Sequence, residues 1–128
     1  MKQRISVEDV RQLTPEQQEK LREWWNEPKI GDTFVINRDS EIRSVDSTWR
    51  LIMISNTPLP ERFCPMLSIG QCIDLLEKSG RFKGLHKSGT DGEYKVYLIP
   101  GNNNGWGEYI KSDKELIVAL FEAVKEIL

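Results

Sequence analysis

The chain has 128 residues, 38% apolar and 30% charged, with 18 basic and 20 acidic side chains and a formal charge of -2. This length suits one domain over residues 1–128 with a modest core, and is too short for a catalytic domain plus a regulatory one. A net acidic chain is not expected to bind nucleic acid in general, because phosphate affinity comes from cationic surfaces, although a local anion site remains compatible.

The opening MKQRISVEDVRQL follows its first basic residues with acids and has no apolar centre, unlike a signal peptide. No run approaches membrane-spanning length, so a cytoplasmic protein is expected. Residues 6–13 suit a short turn of helix. Three hydroxyl residues each stand three positions before an amide or acid: Thr14 with Gln17, Ser68 with Gln71, Ser112 with Glu115. Each precedes helical apolar spacing, so each reads as a capping box that satisfies the free N–H groups of a helix start. The first of these helices should run over 15–27, with Pro15 in its first turn and Pro28 as its stop. Leu21, Trp24 and Trp25 share its apolar arc with Gln17 and Gln18, which favours core packing for at least one tryptophan.

Residues 29–37 (KIGDTFVIN) and 47–55 (STWRLIMIS) have the β-branched and aromatic content of two strands joined as a hairpin. Residues 56–67 hold Pro58, Pro60 and Pro65 and should form an extended surface loop. A helix over 69–79 should bury Ile69, Cys72, Ile73, Leu75 and Leu76, with Gly80 as its C-terminal cap. Residues 81–87 and 93–99, separated by SGTDG, predict a second hairpin. A polar, glycine-rich loop follows over 101–109. The last helix, from residue 113, should be the main core element through Leu116, Ile117, Leu120, Phe121 and Val124. Val118 falls on its opposite face, either as a lone exposed valine or as a contact with another chain. The order α-β-β-α-β-β-α predicts an α+β fold, a small antiparallel sheet of two hairpins packed against three helices.

No catalytic, cofactor or metal motif is present. His86 has no partner at a recognisable spacing, so a hydrolase would need it to meet Ser88 or Cys64 through the fold. Cys64 and Cys72 supply neither a disulfide framework nor a zinc set; Cys72, on a helix's apolar face, reads as a reduced core residue. Residues 78–87 (KSGRFKGLHK) contain Lys78, Arg81, Lys83, His86 and Lys87 and no acid. This stretch either receives a phosphate, a nucleotide or an acidic partner surface, with Phe82 as a stacking face, or is a strand whose outward lysines discourage edge pairing. Residues 102–109 (NNNGWGEY) place amides and Trp106 before a helix start, where a base or sugar could be read or where an ordinary turn could form.

The segments LTPEQQEKLREWW followed by a proline and IGD, the central MLSIGQCIDLL, and the ending ELIVALFEAVKEIL resemble small phage and prophage proteins of Gram-positive bacteria. Those share an LTPEQQ-type opening, an LSIGQ-type helix start and an ALWEAVKE-type end. Phe121 stands where that pattern has tryptophan. The resemblance implies a non-enzymatic accessory protein that antagonises host antiviral defence in the bacterial cytosol. Its partner would be a nucleotide-like signal that it sequesters or a host defence protein that it blocks; a small nucleotide hydrolase is the remaining alternative. For sequestration the sequence points to Arg81, Lys83 and Lys87 for phosphate and to Trp106 with Asn103 for the base. Analogy with other ligand-sequestering domains allows a homodimer with a site between copies.

Overall fold

The structure is a computed structural model that describes residues 3–25, 29–36, 41–55, 63–90, 92–99 and 109–128. It is an α+β fold of five helices and two three-stranded antiparallel sheets. The chain divides into two compact units, Ser6–Met66 and Leu67–Leu128 with Met1–Ile5.

In the first unit, α1 (Val7–Arg11) and α2 (Pro15–Trp24) each start at a reciprocal capping box. At α2 the Gln17 amide donates to Thr14 Oγ1 (3.1 Å) and the Thr14 amide donates to Gln17 Oε1 (3.0 Å). The same exchange joins Ser6 and Asp9 at α1, a box with Asp in the third position. β1 (Thr33–Ile36) lies between β2 (Glu41–Ser44) and β3 (Phe63–Pro65). The turn into β1 needs Gly31, at φ +98°, because side chains with a Cβ rarely adopt that backbone. Asp32 holds this turn to the helix before it: its carboxylate accepts from Trp25 Nε1 (2.8 Å) and the Lys29 amide (2.9 Å).

Phe34 is the centre of this unit. Its ring meets Trp25, Trp49 and Phe63 at centroid distances of 6.0, 5.4 and 5.7 Å. Trp25 is buried and Trp24 half-buried against the same cluster.

Two expectations are corrected here. Residues 47–55 form helix α3 (Ser47–Ser55) instead of a strand. Asp46 starts it by accepting from the Trp49 amide (2.8 Å), and Trp49 and Met53, four apart, turn to the aromatic cluster. Burial at helical spacing overrides the β-branched content of the segment. Residues 63–67 are buried, and Phe63–Pro65 pair with β1, so they are core and not surface loop. Residues 56–62 lie outside the described residues.

The second unit contains α4 (Ile69–Lys78), β4 (Phe82–Lys87), β5 (Tyr94–Leu98), β6 (Tyr109–Asp113) and α5 (Leu116–Ile127). The Ser68 box opens α4, and Gly80, at φ +73°, ends it. Cys72, Leu75 and Leu76 are its buried face. The hairpin of β4 and β5 forms as expected, and β6 adds a third strand. α5 packs against α4, β5 and β6, through Ile117, Leu120, Phe121 and Val124 among its buried residues. Val118 is half-buried.

The Ser112 capping box is corrected. Ser112 belongs to β6, paired with Lys95, and α5 starts at Leu116 with no side-chain cap. The Glu115 amide instead donates to Asp113 Oδ1 (2.8 Å). A Ser-x-x-Glu spacing guides the chain into a helix only where the serine is released from a ladder, and here pairing with β5 holds it.

Both cysteines are free and buried. Burial pushes the Cys64 thiol up to about 12, against a smaller downward pull from Arg22, and pushes Cys72 up to about 12. Thiolate is the reactive form. At pH 8 a disulfide-exchange reagent should therefore modify the folded thiols about 1000-fold more slowly than ordinary thiols. Denaturant should release both thiols at once. Because the folded values exceed the unfolded 9.0, the thiols' contribution to stability is complete below pH 9. It is lost as pH rises toward 12.

Candidate functional site

The sheet of the second unit has two unlike faces. Directly paired residues share a face, so Val96 and Leu98 of β5 stand with Leu85 and Phe82 of β4 and with Lys111 of β6. This is the helix side: Val96 and Leu98 are fully buried, and Lys111 Nζ reaches Glu126 of α5 at 3.5 Å. The opposite face carries Lys95 and Tyr97 from β5, Gly84 and His86 from β4, and Ile110 and Ser112 from β6. On it His86, Ile110 and Ser112 are exposed, and Lys95 and Tyr97 half-buried.

A bulge shapes this open face. Phe82 pairs with Leu98 but Gly84 with Tyr97, so Lys83 is the extra residue and stands with Gly84 opposite Tyr97. Gly84 puts no side chain beside that ring, and a Cβ built there meets nothing within 4 Å among the described residues. The space over Gly84 is thus an open shelf next to Tyr97, with Lys83 at one side and the paired His86 and Lys95 at the other. Directly opposed residues on one sheet face have their Cβ atoms about 5 Å apart. His86 and Lys95 are therefore direct cross-strand neighbours on this face.

The cations predicted from the sequence do not converge. Arg81 precedes β4, and its guanidinium is spent on carbonyls: Nε donates to Ile99 O (2.9 Å) and Nη1 to Glu126 O (3.4 Å), at the C-terminal end of α5. Lys83 is exposed at the bulge. Lys87 shares the helix-side register with Tyr94, over whose ring its Nζ sits at 5.3 Å from the centroid. Four residues of strand separate Lys83 from Lys87 by about 13 Å, on opposite faces. Asn103 and Trp106 lie outside the described residues. Arg81→Ala should cost about 1 kcal/mol by uncapping α5, whereas Lys83→Ala should stay within about 0.5 kcal/mol. Urea denaturation of the two variants checks this.

Lys95, Tyr97, Ile110 and Ser112 escape a reading based on charge runs. The alternation in Tyr94–Leu98 is the signal that finds two of them: Val96 and Leu98 go inward, so Lys95 and Tyr97 must go outward. Ile110 and Ser112 become visible only once β6 is known to be a strand.

Cys64 is a buried thiol with its proton firmly held, and the Ser88 hydroxyl lies 3.0 Å from Thr90 Oγ1 in the turn after β4. Among the described residues no group of three or more His, Cys, Asp or Glu could hold a metal ion, and no helix is long and apolar enough to cross a membrane. No family model, curated protein or solved structure matches this chain.

Proposed function

We propose that the chain is a non-enzymatic binding protein that holds an anionic, ring-bearing small molecule of the nucleotide class on the open face of its second sheet. The observation that carries this reading is the shelf over Gly84, beside the Tyr97 ring and between Lys83 and the His86–Lys95 pair. A base stacks on the ring, an interaction that tolerates any base because every base has a π-face. The phosphate meets the basic side chains that border the shelf.

The biological setting is proposed from the resemblance to phage and prophage accessory proteins. In the bacterial cytosol, removal of a nucleotide signal would blunt an antiviral response without any turnover. A second reading, direct blocking of a host defence protein, is supported by the exposed apolar pair Leu51 and Ile52 on α3.

Native mass spectrometry of the protein, alone and with a panel of linear and cyclic nucleotides, tests the proposal. An intact nucleotide retained on the protein is the expected result. Recovery of a chemically converted nucleotide would replace sequestration by catalysis, and retention of none would overturn the reading.

A further inference from the structure

A different part of the same sheet points to a protein partner. β4 ends the strand order β4-β5-β6, and none of its six residues is buried, whereas β3 of the other sheet is buried throughout. The direction of its backbone groups follows from the ladder. The Ser88 amide donates to Glu93 O (2.8 Å), so residue 88 faces β5. Backbone groups alternate along an antiparallel strand, so residue 86 also faces β5 while the N–H and C=O of Leu85 and Lys87 point away from it. Their outward groups form the start of a ladder on an edge that pairs with no other strand among the described residues.

Charge selects what that ladder would take. Lys83, His86 and Lys87 are exposed along the strand, with Leu85 39% exposed between them. A second copy pairing antiparallel on this edge would bring the basic side chains of both chains together along one seam, and like charges held side by side across a strand pair are destabilising. Outward lysines reject basic strands for the same reason, and pairing with a neutral strand would strip water from their ammonium groups without a counter-charge, which protects the edge from aggregation. An extended acidic segment meets no such penalty. We infer that β4 is a docking edge for an extended, acidic segment of a partner protein, which adds to the sheet as a fourth strand through the backbone of Leu85 and Lys87. This inference does not depend on nucleotide binding: Lys83 borders both places, but the shelf uses the sheet's open face and strand addition uses the backbone of its edge.

The test uses the whole protein and a labelled, end-blocked peptide of about eight residues, long enough for one strand, that alternates Glu and Val. Its mirror in charge, alternating Lys and Val, is the control. Fluorescence anisotropy should show binding of the acidic peptide only, weakening about tenfold or more between low and high salt. In the complex the Leu85 and Lys87 amides should exchange with solvent at least about tenfold more slowly than in the free protein, as newly paired strand amides do. The double variant Lys83→Glu, Lys87→Glu, checked for unchanged circular dichroism, should reverse the preference to the basic peptide. Failure of the acidic peptide to bind, binding without protection of those two amides, or equal binding of both peptides would overturn the inference. Gly84→Leu should leave peptide binding unchanged, which separates this edge from the open face.

Discussion

Phe34→Ala is expected to remove about 3–5 kcal/mol of stability, the usual cost of deleting a buried aromatic ring from a packed core. The ring is fully buried and contacts Trp25, Trp49 and Phe63, which come from the C-terminal cap of α2, from α3 and from β3. One substitution therefore empties the point at which three elements meet the central strand. Small domains have about 5–15 kcal/mol in total, so much of the native state's margin would go with it. The urea midpoint should fall steeply, and the near-ultraviolet circular dichroism of the tryptophans should be lost at lower denaturant than in the parent. A loss below about 1.5 kcal/mol, typical of a site that collapses or was never tightly packed, would contradict the aromatic centre described above.

Gly84→Leu has the opposite profile, a large effect on binding and little on folding. Among the described residues nothing lies within 4 Å of a Cβ at this position, and the backbone has no left-handed strain. A strand interior also prefers a side chain to glycine, by about 0.5–1 kcal/mol. The thermal midpoint should hold or rise slightly. The leucine would occupy the shelf beside Tyr97 and block a stacked base. Nucleotide affinity should drop about 100-fold or more, which is about 2.7 kcal/mol. Equal affinity in parent and variant would place the ligand elsewhere.

The parts of the fold that were legible in the sequence are those fixed by local chemistry. The boxes at Thr14 and Ser68 need only residues within one turn, and both helices start where the spacing puts them. Gly80 ends α4 for an equally local reason. The hairpin of β4 and β5 is flagged by its turn residues and found in place. The errors arise where distant partners decide. In 47–55 the β-branched residues favour a strand, yet Trp49 and Met53 are drawn to a cluster built from α2, β1, β3 and Val45. Asp46, a good helix start, is the local sign that points the other way. Ser112 has the right spacing for a cap but is claimed by β5.

The candidate site was legible only in part, for the same reason. A run of cations marks β4 as unusual, but strand geometry distributes its side chains over two faces and an edge. Arg81 holds the end of α5, Lys87 covers Tyr94, and only Lys83 remains near the shelf. Tyr97 and Lys95, the other half of the site, come from a neighbouring strand and carry no signal in a charge count. Pairing register is what brings them together, and register is a property of the folded sheet.

The most direct measurement is a two-dimensional amide NMR titration of the folded protein with the nucleotide that native mass spectrometry retains. The account predicts shift changes concentrated at Lys83, Gly84, His86, Lys95, Tyr97, Ile110 and Ser112, with α4 and the Phe34 cluster unmoved. Changes confined to residues outside that face, or a uniform drift of all signals, would contradict a site on the open face of the second sheet.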